Sequence, residues 1–414
     1  MKSVLINAYA CNPNWGSEPG MGWNWIKNIS KDCRVFVITE GEWKNEIEVA
    51  VSLLPYKKNI TFFYLPVSDE VRKICWNQGD WRFYYYYRQW QKQALKLSLQ
   101  IIEEHHIDII HQLNMIGFRE PGYLWKINNI PFVWGPIGGM NLYPEAYLSN
   151  LTLKESLFVK LKNRINRFQI RYEPRVRSAI KRADCLISAI PEVRGSIKDI
   201  YKKDSILISE TGCNKVVDNL PINLDRFEEK AFRILWVGRF FNAKQLSLAL
   251  HIIAQLKSLS GLTFHIVGEG TKKQQDYYQN LAKELGVEHL CHWHGKIPND
   301  EVHQLMRSCQ LFLFTSVSEA TSTVVLEALE NNLPIVCFDT CGFGLVVDET
   351  VGCKVCLSTT KQSILDFSDR IKYLYNNREI LKEKSIQTVN RVEEYSWDEK
   401  MRKLKSIYEQ LLNR

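Results

Sequence analysis

The chain has 414 residues, 45% hydrophobic and 24% charged, and its 54 basic and 46 acidic residues leave a formal net charge of +8. This is globular composition without low-complexity segments or repeats, and the length fits two domains of about 200 residues each. No stretch approaches the roughly 18 apolar residues of a membrane-spanning helix, so an integral helical membrane protein is excluded.

In chain order, residues 1–8 have too short an apolar run for a signal peptide and read as a first strand. Strands are expected at 3–9, 34–39, 60–65, 107–111, 131–135, 184–188 and 205–209, with helical or loop segments between them. Short apolar runs alternating with helices argue for α/β architecture, a parallel sheet with helices on both faces. The turn-rich stretch 210–230, with Gly212, Asn214, Asp218, Asn219, Pro221 and Asn223, is the candidate linker. The pattern then restarts, with strands at 232–237, 263–267, 289–294, 311–315, 334–338 and 353–357 and helices near 244–259, 272–286, 299–309 and 322–331. The expected division is 1–215, 216–395 and a C-terminal helix 396–414 that crosses back to the first domain. Two Rossmann-like, doubly wound domains facing across a cleft would meet a ligand at the carboxyl ends of their strands.

Eleven cysteines scattered through a chain of this kind favour reduced thiols and a cytoplasmic compartment. Cys353 and Cys356 have C-x-x-C spacing, with Cys337 and Cys341 nearby, but residues three apart on a strand point to opposite faces. Buried free thiols are expected there, with no metal.

The most informative pair is Glu319 and Glu327. Glu319 falls in a loop after the apolar run 311–314, and Glu327 falls on the following helix. Thr321, Ser322 and Thr323 lie where that helix would start, and each can cap it. A helix N-terminus at the end of a parallel strand offers free N–H groups and a favourable dipole to an anion. Eight residues of helix would span about 12 Å. A diphosphate with a hydroxyl-rich group at each end, the shape of a nucleotide-sugar, could lie across that start with one Glu at either end.

A basic stretch follows a different logic. Residues 154–182 hold ten Lys and Arg against Glu155 and Glu173, with Leu157, Phe158, Leu161, Ile165, Phe168 and Tyr172 at helical spacing. Such a helix can lie on an anionic membrane, or its apolar residues can face the core. Residues 72–92 interleave Trp76, Trp81, Phe83, Tyr84–Tyr87 and Trp90 with Arg72, Lys73, Arg82, Arg88 and Lys92, a mixture suited to a membrane interface or to sugar stacking. No nucleic-acid-binding module appears, so nucleic acid is not an expected partner.

The second half resembles the retaining glycosyltransferase family 4 (glycosyltransferase group 1), enzymes of GT-B architecture. Trp236-Val237-Gly238-Arg239-Phe240 with Lys244, Ile266-Val267-Gly268-Glu269-Gly270, His294-Gly295, the E-x7-E run from Glu319 to Glu327, and Tyr395-Ser396-Trp397 carry the likeness in order. The first half matches more loosely, through its Gly-rich first loop and Trp134-Gly135-Pro136-Ile137-Gly138-Gly139. The resemblance implies a first domain that binds acceptor and a second that binds a nucleotide-sugar donor. It implies Arg239 and Lys244 on the donor diphosphate, Glu319 on sugar hydroxyls, and Glu327 on the ribose. It also implies phosphate contacts from backbone N–H groups of Thr323, Val324 and Val325, with Gly238 and Gly295 lining the donor. Gly16 and Ser17 would reach the diphosphate from the first domain, and His111 would contact the transferred sugar, with Leu113 the alternative place in that register. Ala320-Thr321-Ser322 departs from the family pattern, which leaves the sugar preference open.

Arg suits bidentate oxygen contacts and Lys acts as a point charge, so this pair can neutralise a departing diphosphate. No Asp-x-Asp motif is present to hold a metal, and cationic side chains with a helix start can replace one, so no metal or cofactor is expected. The resemblance implies transfer with retention to a glycan or lipid-linked acceptor, in cell-surface polysaccharide synthesis. A GT-B epimerase acting on a nucleotide-sugar is the alternative, and a basic nucleic-acid-binding protein a remote one.

Overall fold

The computed structural model describes residues 1–76, 80, 82–148, 151–214 and 223–413. Trp81, the side chain of Trp76 and the middle of the expected linker, 215–222, lie outside the described residues. The chain divides into two compact units.

The first unit comprises Met1–Met140, Ile165–Glu210 and Asp398–Arg414. Its sheet is built from β1 (Lys2–Ala8), β2 (Cys33–Thr39), β3 (Ile60–Tyr64), β4 (Ile109–Asn114), β5 (Phe132–Ile137), β6 (Cys185–Ser188) and β7 (Ile206–Leu207), in the order β3-β2-β1-β4-β5-β6-β7. All neighbours pair in parallel. β4 and β5 are buried along their whole length and β1 from Ser3 onward, as strands with helices on both faces must be, and among their apolar residues they enclose the polar Asn7, His111, Gln112 and Asn114. The last helix, Trp397–Leu412, sends Met401, Leu404, Ile407, Tyr408 and Leu411 into this unit's core. Lys400 Nζ there donates to the Ser209 carbonyl at 3.0 Å.

The second unit comprises Asn141–Arg164 and Thr211–Trp397. Its strands β8 (Phe232–Val237), β9 (Leu262–Val267), β10 (Cys291–Gly295), β11 (Leu311–Phe314), β12 (Ile335–Phe338) and β13 (Gly352–Val355) form a parallel sheet ordered β10-β9-β8-β11-β12-β13. The helices between them, Leu246–Leu256, Lys272–Glu284, Asn299–Ser308 and Thr323–Glu330, follow the expected positions to within three residues at either end. Both sheets are doubly wound, with strand order reversing beside β1 and beside β8, which is where such sheets take ligands.

Three expectations change. Residues 141–164 pack with the second unit instead of the first: Tyr147 Oη lies 2.7 Å from Ser363 Oγ, and Gln245 Nε2 donates to Tyr143 Oη at 2.9 Å. Cys356 is exposed because β13 ends at Val355, whereas Cys337, Cys341 and Cys353 are buried. The aromatic and basic stretch 72–92 is largely spent on structure. Phe83, Tyr87 and Trp90 are buried, while Arg72 pairs with Glu40 at 2.9 Å and Arg88 with Glu120 at 2.9 Å. Tyr85 is exposed and Tyr84 borders on it.

Candidate active site

β8 and β11 are neighbours at the point where the second sheet reverses, with Ile234 opposite Leu311 and Leu235 opposite Phe312. Their carboxyl ends feed two loops that are tied together. The Thr315 hydroxyl donates to the carbonyls of Lys244 (2.8 Å) and Gln245 (3.2 Å) and accepts from Trp236 Nε1 (3.1 Å). Val317 N–H donates to the Ala243 carbonyl at 2.9 Å. This lacing brings Lys244 to Glu319: Nζ and Oε1 lie 2.5 Å apart, both side chains are largely buried, and Ser316 Oγ donates to the same carboxylate oxygen at 2.6 Å. The Lys244 ammonium also sits 4.9 Å from the Phe314 ring centre. Held by a carboxylate and an aromatic face, it is a positioned cation and no longer a free surface charge. Arg239, from the turn after β8, is exposed and stacks its guanidinium 4.4 Å from the Phe241 ring centre.

The helix Thr323–Glu330 starts at Ser322, whose φ is +63°, and no side-chain cap closes it there. The capping expected of this run is therefore absent at Ser322. Only the step from Thr323 to Glu327 is helical, about 6 Å of rise, so Glu319 and Glu327 are joined by loop as much as by helix. Of the three N–H groups expected to hold phosphate, that of Val325 already donates to the Ser322 carbonyl at 3.1 Å, because the first turn is closed by this bond. Glu327 is half-buried, and burial raises its carboxyl above the usual range. Burial likewise pushes Glu330, one turn on, up to about 7, although Asn214 N–H donates to it at 2.6 Å.

Backbone approach shapes the rest. Gly268, after β9, has φ +134°, and a Cβ there would lie 1.9 Å from the Gly238 carbonyl oxygen. Its N–H donates to the Gly295 carbonyl at 2.8 Å, so the ends of β8, β9 and β10 close on one another through three glycines. A Cβ on Gly238 would stand 3.3 Å from Lys244 Cδ, which places that glycine beside the cation.

His111, the expected sugar contact, lies inside the first unit. It is fully buried in β4, with Nδ1 2.7 Å from Tyr408 Oη and Nε2 2.7 Å from the Gly135 carbonyl, and burial lowers its pKa to about 4. Both ring nitrogens are occupied by the protein, and Leu113 is buried too. Gly16 and Ser17 stand exposed where the helix Ser17–Ile29 begins, with Ser17 at φ +56°. They belong to the first unit, and Arg239, Lys244, Glu319 and Glu327 to the second.

One residue had no signal in the sequence. Asn141 Nδ2 donates to Ser318 Oγ at 3.3 Å and to the Glu319 carbonyl at 3.5 Å, bracing the loop that carries Glu319. A partner 178 positions away, in no motif, leaves nothing to read.

Residues 224–391 match the family model for glycosyl transferases group 1. Over 158 residues the chain is 31% identical to the N-acetylgalactosamine-N,N'-diacetylbacillosaminyl-diphospho-undecaprenol 4-alpha-N-acetylgalactosaminyltransferase of Campylobacter jejuni, covering 36% of this chain and 40% of that one. The matched stretches span about half the length, or less, of the first curated relatives. A glycosyltransferase structure from Rickettsia africae superposes with a TM-score of 0.65 at 15% identity, covering 99% of this chain and 98% of that one. Anabaena Alr3699/HepE in complex with UDP superposes with a TM-score of 0.61 at 14% identity, covering 99% and 100%. The fold is therefore that of the GT-B glycosyltransferases.

Proposed function

From the match of residues 224–391 to the glycosyl transferases group 1, we propose that the chain moves a hexose-type sugar from a nucleoside-diphosphate sugar to a glycan or lipid-linked acceptor. The observation that carries this reading is the Lys244–Glu319 pair at the carboxyl ends of β8 and β11. A cation that can follow the departing diphosphate stands against a carboxylate that can accept from sugar hydroxyls. Arg239 supplies a second positive charge, and Glu327 a carboxylate for the ribose, on the helix starting at Thr323. Transition-state charge is stabilised most by groups fixed before the reaction, and the Thr315 and Val317 bonds fix these.

The family likeness supports retention of configuration. In that course the leaving phosphate takes the acceptor proton as the new glycosidic bond forms on the face the nucleotide leaves, so no separate base is required. The Campylobacter relative is named as a transferase, which favours transfer over epimerisation. The Campylobacter relative's name specifies a diphospho-undecaprenol-linked acceptor, which supports a lipid-linked acceptor, polysaccharide synthesis and a cytoplasmic, membrane-peripheral place for this chain. Among the described residues no helix is long and apolar enough to cross a membrane.

The test is a thermal-shift screen with UDP-, GDP- and ADP-sugars, followed by nucleotide release with and without acceptor. At least one donor should stabilise the protein, and release should depend on acceptor. Lys244→Ala should lower turnover by roughly 10² or more. Turnover unchanged in that variant removes Lys244 from the mechanism, and conversion of the donor sugar without acceptor removes the transfer reading.

A further inference from the structure

The helix Leu153–Tyr172 is inside out. A surface helix normally turns its apolar stripe to the core and its polar face to water. Here Leu157, Phe158, Leu161, Ile165, Phe168 and Tyr172 are all exposed, Phe158 at 67% and Phe168 at 65%. The face turned inward carries Ile170 and two asparagines, Asn163 and Asn166, the latter two exposed by only 2% and 7%. Both are satisfied. Asn163 accepts from the Tyr143 N–H at 3.1 Å and donates to the Tyr143 carbonyl at 2.9 Å, and Asn166 accepts from the Arg119 guanidinium. These bonds fix the rotation of the helix, because turning the apolar stripe inward would take both amides away from the Tyr143 N–H and carbonyl and from the Arg119 guanidinium.

The exposed stripe has a charged border. Lys160, Arg164, Arg167 and Arg171 recur at i, i+4, i+7 and i+11, a row along one flank of the apolar side chains. All four are exposed. Beyond the helix end, a cavity of about 850 Å³ begins at Tyr172 and is rimmed by Arg177, Lys181 and Lys202. Glu155 and Glu173 are the acidic residues between 154 and 182, at the two ends of the helix, where Glu155 folds back on the Thr152 hydroxyl and Glu173 on Arg175. A protein partner could cover an apolar stripe, but exposed cations on both its flanks, the row on one side and Lys162 on the other, call for a dense sheet of negative charge. A bilayer of anionic phospholipid offers both, acyl chains for the aromatic and aliphatic residues and headgroup phosphates for the row.

We propose that the helix Leu153–Tyr172 docks in the plane of an anionic membrane, with Leu157, Phe158, Leu161, Ile165 and Phe168 entering the acyl boundary and the basic row on the phosphates. This deepens the membrane-peripheral reading by naming the element and its orientation. Docking needs no donor and no sugar transfer, so the two ideas fail separately.

The test is flotation of the full-length protein with vesicles of phosphatidylcholine containing about a third phosphatidylglycerol, against pure phosphatidylcholine, without nucleotide-sugar. Wild type should float with the anionic vesicles and lose most of that binding in high salt or on neutral vesicles. Phe158→Glu with Phe168→Glu should cut binding at least tenfold, as should Lys160→Glu with Arg164→Glu. The altered side chains point outward, so circular dichroism and the melting temperature should match wild type, and donor-induced thermal shift should persist. Three results overturn the proposal: no flotation of wild type at low salt, binding unchanged in the folded variants, or a stable dimer in solution that the Phe variants dissociate.

Discussion

At the residue scale, burial distinguishes the candidate site residues from those that carry only the fold. Lys244 and Glu319 keep partial access and each other, whereas His111 has neither access nor a free nitrogen. His111 should instead shape acid stability. Its folded pKa of about 4 lies below the ordinary value of 6.5, so between those limits the unfolded chain binds a proton that the folded one does not. Stability is therefore present above pH 6.5 and lost as pH falls towards 4, by about 3 kcal/mol at most. Glu18 and Glu330, raised to about 7 by burial, act in the opposite sense, because the folded chain then holds protons that the unfolded chain releases. The wild-type curve mixes these slopes, so the difference between wild type and His111→Gln isolates the histidine. Urea unfolding from pH 7 to pH 4.5 should show a flatter acid limb in the variant, and parallel curves would show that His111 contributes no such slope.

At the element scale, the second unit depends on how closely strand ends can approach. The turn after β9 meets the turn after β8 at Gly268, where a side chain has no room and the backbone is left-handed. Gly268→Ala should destabilise the second unit by about 1–3 kcal/mol and push the Gly238 turn, and with it Lys244, out of place. A lowered urea midpoint together with weakened nucleotide-sugar binding is the expected pair of results; unchanged values for both would mean the turns can separate freely. The same scale explains why the sequence left two orientations of one helix open. Periodicity finds the helix Leu153–Tyr172 but cannot say which way it faces, since the answer lies in Tyr143 and Arg119, far away in sequence.

At the scale of the whole molecule, the chain leaves the first unit and returns to it. The last helix follows Tyr395 and Ser396, whose strand-like bridge to Cys213 belongs to the second unit, and then buries five apolar side chains in the first. Burying each such side chain stabilises by about 1.5–3 kcal/mol, a total comparable with the whole stability of a domain. A chain ending at residue 397 should therefore lose cooperative unfolding of the first unit while the second keeps its own. Limited proteolysis would show this as protection of 141–164 and 211–397 with cleavage in the rest of the chain; an intact first unit would show the helix to be dispensable.

The sequence by itself determined the two parallel sheets, because buried apolar strands separated by amphipathic helices have few other ways to pack. Strand–turn–helix spacing also put Glu319 in the loop after one strand and Glu327 on the next helix, while the family resemblance is what singled out Arg239 and Lys244. Only the tertiary structure decided that Lys244 and Glu319 bind each other, that Asn141 braces their loop, that His111 is walled in and that the basic helix shows its apolar side to water. Each of these depends on partners tens to hundreds of residues apart, and local pattern carries no information about what will be brought alongside it.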